Sequence, residues 1–157
     1  MSEKSLPSFE RLVTAASTLN KSSDELKKVI EDLEARINGL KIGISAWVNV
    51  VVWEDDDPKE EYERIQVGYG KINSRWCLGI RRLVGHHQNP EPDKIRESWQ
   101  FNDAPRKLRL LAVEKLGDLF EELTTKLNEA AAGVNKGVSS AKLFAIGFGL
   151  DAPKGGK

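Results

Sequence analysis

Between Phe9 and Leu40 the apolar positions fall into two interleaved series with a period of seven. Leu12, Leu19, Leu26, Leu33 and Leu40 form one series; Phe9, Ala16, Ile30 and Ile37 form the other, interrupted only at Ser23. Alternating steps of three and four, sustained over that length, predict one long helix with a narrow apolar seam suited to another helix. Asn38-Gly39 supplies its stop. Ser22-x-x-Glu25 has the form of a capping box that would open a second helix. The seam passes through it in register, which favours continuity. At 1.5 Å per residue such a helix is about 50 Å long.

The period then changes to two. In "KIGISAWVNVVVW" the residues Ile42, Ile44, Ala46, Val48, Val50 and Val52 alternate with the rest. Ile65, Val67 and Tyr69 do the same in "YERIQVGYG", and Trp76, Leu78, Ile80 and Val84 in "RWCLGIRRLV". "IRESWQF" offers Ile95, Trp99 and Phe101. Alternation of β-branched and aromatic residues predicts a four-stranded antiparallel meander with one buried face. A two-residue turn at Asn73-Ser74 would pair Ile72 with Arg75, Tyr69 with Leu78 and Val67 with Ile80. Pairing Trp53 with Tyr62 would set Val50 against Ile65 and Val48 against Val67. Pairing Val84 with Ile95 would set Ile80 against Trp99 and Leu78 against Phe101, with Arg82 between Ile65 and Glu97.

A second helix opens at "NDAPRKLRLLAVEKL", where Asn102 or Asp103 suits the N-cap and Pro105 the first turn. Val113, Leu116, Phe120, Leu123, Leu127, Ala130 and Val134 continue in steps of three and four. Beyond Gly133 glycines and serines multiply, so the reading is one α-β4-α domain over 1–138 and a flexible glycine-rich tail over 139–157. Four antiparallel strands return the chain to the end where it entered. The two helices are therefore expected to lie antiparallel on one sheet face, in an α+β fold, and to project past it as a short coiled-coil stalk.

Composition narrows function more than it identifies it. The 157 residues include 24 basic and 24 acidic side chains, so no global field draws the chain toward nucleic acid or anionic lipid. The single Cys77 forms no internal disulfide, and "MSEKSLPSFE" lacks the apolar stretch of a secretory signal, so a cytoplasmic setting with no membrane contact is expected. No motif is specific enough to name a family.

The chemistry-bearing residues are few. Asp55, Asp56, Asp57, His86 and His87 occupy loops at one end of the sheet and could converge on a cation. Neighbouring histidines on extended chain point apart, however, and neither run has ligand spacing, so no metal or cofactor is expected. Cys77 lies nine residues from His86 along one strand, about 30 Å if extended, too far for a nucleophile and its base. No enzymatic activity is expected.

The face turned away from the helices is more informative. It is expected to carry Trp47, Trp53, Tyr62, Arg64, Arg81 and Leu83, with Trp47 opposite Gly68 and Gly68 opposite Gly79. A tryptophan across glycines fills the space they leave and stiffens the sheet. Aromatic and arginine residues together also make contact surfaces for proteins or single-stranded nucleic acid. The leading expectation is a non-enzymatic interaction module that self-associates or docks on a partner protein through this face, the helical stalk, or both. Its alternative is a nucleic-acid or small-ligand site on the open face.

Overall fold

A computed structural model describes residues 5–54, 61–87 and 91–150. Helix α1 (Ser5–Gly39) leads into strands β1 (Ala46–Glu54), β2 (Glu61–Ile72), β3 (Arg75–His86) and β4 (Lys94–Gln100). A single 3-10 turn (Phe101–Asp103) then precedes α2 (Arg106–Val113) and α3 (Leu116–Gly147). The four strands form an antiparallel meander in the order β1-β2-β3-β4, giving the α+β architecture that the change of hydrophobic period predicts.

The central hairpin has the expected register. Ile72 pairs with Arg75, Tyr69 with Leu78 and Val67 with Ile80, closed by Asn73 (φ 53°) and Ser74 (φ 65°). Two positive φ values in succession define a type I′ turn, whose twist matches the flanking strands.

The outer pairs depart from it at one point each. Between β1 and β2, Val48 faces Val67, but a bulge follows Asn49, so Val51 rather than Val50 meets Ile65 and Trp53 meets Glu63 rather than Tyr62. Between β3 and β4, Ile80 faces Trp99 and Arg82 faces Glu97, until a second bulge sets Leu83 against Ile95 and Val84 against Lys94. The expected pairs Val84–Ile95 and Leu78–Phe101 are absent. A bulge places one extra residue on one strand and so exchanges the two faces beyond it.

One buried cluster joins Ile65, Val67, Tyr69, Leu78 and Ile80 of the sheet to Ile30 of α1 and to Phe101. Leu108 and Ala112 of α2 and Leu116, Leu119 and Leu123 of α3 belong to the same cluster. The second helix is thus divided at Glu114-Lys115, where the Lys115 N–H bonds the Ala112 carbonyl three residues back and breaks the helical ladder. The division lets α2 pass under β1, β2 and β3 while α3 follows β1 and β2.

The stalk is not formed within one chain. Going toward its C-terminus, α1 is held first where Asn102 donates to the Lys27 carbonyl, next to the end of β4, then at Leu78 and Trp76 of β3. Helix α3 is held where Lys126 donates to the Ser45 carbonyl, next to the start of β1. Strands β1 and β4 are the two outer strands, so these two anchor points lie at opposite edges of the sheet. Residues 8–22 of α1 are exposed throughout, as are 131–144 of α3. Leu12, Leu19 and Val134, expected to meet in a stalk seam, are 63%, 44% and 64% exposed. Residues 139–147, expected to lie in a flexible tail, continue α3 as helix.

Candidate functional site

The open sheet face is assembled around three glycines. Gly68 and Gly79 lie opposite each other on β2 and β3, with Trp47 of β1 opposite Gly68. A methyl group at Gly68 would overlap the Trp47 ring, and at Gly70 it would lie 3.2 Å from it. At Gly79 it would overlap Ile72 and approach the far edge of the same indole at 3.4 Å. The indole therefore lies flat across the middle of the sheet in space that only glycine leaves open.

Above it sits Arg81, whose guanidinium carbon is 4.0 Å from the Trp47 ring centroid, in cation-π distance. Burial, and then the nearby Arg64 cation, lower the pKa of Arg81 from its ordinary value. A chain of hydrogen bonds runs outward from there. Arg81 Nε donates to Gln66 Oε1 (2.8 Å), Gln66 Nε2 to Asn49 Oδ1 (2.9 Å), and Arg64 Nη1 to the same Asn49 oxygen (3.3 Å). Arg64 also pairs with Asp93, which accepts the Tyr62 hydroxyl as well. Asp93 covers Gly85, where a methyl group would overlap both its carboxylate and the Tyr62 phenol. The Asp93 hydrogen bond is the largest cause of a raised Tyr62 pKa, with burial second.

Of the six residues expected on this face, Trp47, Tyr62, Arg64 and Arg81 are brought together in one network. Trp53 is not. The β1 bulge turns it to the other side, where it lines a shallow depression with Glu63, Arg82, Val84 and Glu97. Leu83 stays on the open face but is only 5% exposed, so it offers no contact area. Gln66 and Asn49 fall on the open face as the alternation predicts, but neither they nor Asp93 are among the residues expected to form the site. For the first two, their placement opposite each other and between the arginines was a usable signal; for Asp93 there was none, because it follows the break in register.

The other candidate chemistry is dispersed. His86 Nε2 lies 3.6 Å from Glu61 Oε1, while the His87 ring stacks obliquely on Tyr62 at 4.7 Å, so the two imidazoles serve opposite faces. Asp55, Asp56 and Asp57 lie outside the described residues. Among the described residues no group of three His, Cys, Asp or Glu side chains converges on a metal position. Cys77 is fully buried, and burial pushes its thiol up to about 11, with the Glu34 carboxylate adding to the effect. A thiol held neutral in this way is a poor nucleophile.

The network therefore spends its polar groups on itself. Most of its donors meet acceptors within the network, Arg64 Nε being a buried exception, and its largest ring is seated on backbone. The large exposed apolar surface lies elsewhere, on the free halves of α1 and α3. Among the described residues no helix is long and apolar enough to cross a membrane. No protein family matches the chain, nor does any curated protein or solved structure.

Proposed function

We propose that the chain is a non-enzymatic interaction module that self-associates through the free halves of its two long helices. The sheet and the packed helical segments act as a rigid body that holds those halves apart.

The carrying observation is the seam of α1. Phe9, Leu12 and Leu19 continue the two-series apolar seam that packs Leu26, Ile30 and Leu33 against the core lower on the same helix, yet they stand 63%, 63% and 44% exposed. One helix thus carries one seam, with half of it used inside the chain and half left over. Isolated amphipathic helices of this length are marginal in water, and their stability comes from packing the apolar face. Contiguous apolar surface of this kind marks a contact site. The open sheet face is the weaker contact surface, since Trp47, Arg81 and Arg64 are engaged with their neighbours and Leu83 is buried.

Molar mass measured by light scattering across a concentration series tests this reading. The expected result is a mass that rises above 17.5 kDa toward a multiple of it. A constant monomer mass up to the solubility limit would overturn it.

A further inference from the structure

We infer that association is reciprocal: the free half of α1 in one copy packs against the free half of α3 in a second copy. The inference rests on the self-association reading and names its geometry.

Area requires that both free halves be engaged. The free half of α1 exposes four large apolar side chains, Phe9, Leu12, Val13 and Leu19. The free half of α3 exposes five within the helix, but at about 3.6 residues per turn only Val134, Val138 and Phe144 share one face, with Leu143 and Ile146 on the other side. At roughly 100 Å² apiece, about half of what an aromatic residue buries on average, α1 alone brings about 400 Å² per copy and the matching face of α3 about 300 Å². A standard stable interface takes about 600–1,000 Å² from each partner. Pairing α1 only with α1, or α3 only with α3, therefore falls short of that range. Engaging both halves brings about 700 Å² per copy, which lies within it.

Within one chain the halves do not pack on each other, since residues 8–22 of α1 and 131–144 of α3 are exposed throughout. A second copy is the partner that brings the complementary half to each. The free segments match in length: residues 8–22 of α1 and 131–147 of α3 are each about 25 Å of helix. Few charges stand in the way. Between residues 8 and 22 only Glu10, Arg11 and Lys21 are charged, and between 130 and 150 only Lys136 and Lys142.

Complementation between two variants tests the pairing. One carries Leu12→Glu and Leu19→Glu, the other Val134→Glu and Val138→Glu; all four positions are exposed, so folding is retained and is checked by circular dichroism. Each variant alone lacks one side of every contact and is expected to run as a monomer. An equimolar mixture contains one intact pairing per hetero-dimer, half of the wild-type contact, and is expected to associate more weakly than the wild type but at least tenfold more tightly than either variant alone. Association of one variant alone at wild-type strength would show like-with-like pairing through its unaltered helix and overturn the inference, leaving self-association standing. Two monomeric variants that stay monomeric when mixed would also overturn it. A wild-type chain that remains monomeric yet floats with phosphatidylglycerol vesicles would assign the apolar end of α3 to lipid, and both readings would fall.

Discussion

The carboxylate of Glu34 accepts the backbone N–H of Leu78 at 2.8 Å, on the part of β3 that extends beyond the end of β4. One turn later Asn38 donates to the Trp76 carbonyl and accepts the Tyr69 hydroxyl. Helix α1 thus takes the place of the missing strand partner and satisfies groups that a bare edge would leave open. Leu78 is fully buried, so water does not substitute. Glu34→Ala is expected to cost about 1–3 kcal/mol in urea denaturation, the penalty of an orphaned buried donor. Glu34→Gln keeps an acceptor and should lose clearly less. Equal losses would show that the carboxylate serves some other purpose.

The hairpin turn carries a removable strain. Ser74 sits at φ 65°, a left-handed conformation that glycine adopts freely and other residues at a cost. Its neighbour Asn73, at φ 53°, is the residue type the turn prefers. Ser74→Gly is expected to stabilise the protein by about 0.5–1 kcal/mol, allowing for the extra entropy glycine gives the unfolded chain. A lower midpoint of thermal unfolding would contradict this.

That turn was legible in the sequence because both flanking strands alternate strictly, so one register alone buries Val67, Tyr69, Leu78 and Ile80 together. The bulges were not. In "VNVVVW" three consecutive valines let the strand slip by one residue with an apolar side chain still on each face, so alternation loses its power to choose. Trp53 was assigned to the wrong side for that reason. Near β4, Ile95 is 55% exposed, so burial exerts little hold on its register. The heptads were read correctly as helix but wrongly as a stalk. Periodicity gives the face that wants a partner; it does not choose which stretch of that face is buried, here around Ile30 in α1 and Leu116, Leu119 and Leu123 in α3.

The glycine trough under Trp47 is the rigid centre of the open face. At Gly68 an added methyl would collide both with the indole and with the Ala46 carbonyl, which as backbone cannot move aside. Gly68→Ala is expected to destabilise by about 1–3 kcal/mol, the range for overpacking, and to dislodge Arg81 from the ring. Tryptophan fluorescence of the folded variant should respond to acrylamide more than the wild type does. Unchanged stability and quenching would mean that the ring is not seated on the glycines.

Cys77 gives the fold an alkaline limit. Its thiol, ordinarily near 9.0, is pushed up to about 11, first by burial and then by the Glu34 carboxylate. The unfolded chain therefore gives up this proton at lower pH than the folded one. Its contribution to stability is intact below pH 9, falls as the pH rises, and is gone once the pH passes about 11. Two pH units correspond to at most about 3 kcal/mol. Tyr69, raised by burial, and Tyr62, raised by its bond to Asp93, weaken the fold in the same direction at still higher pH. They are present in both proteins, so the difference between wild type and Cys77→Ala isolates the thiol. Urea midpoints taken between neutral pH and pH 11 should decline more steeply for the wild type, whatever the offset between the two at neutral pH. Parallel declines would place the ionisation of Cys77 after unfolding rather than as one of its causes.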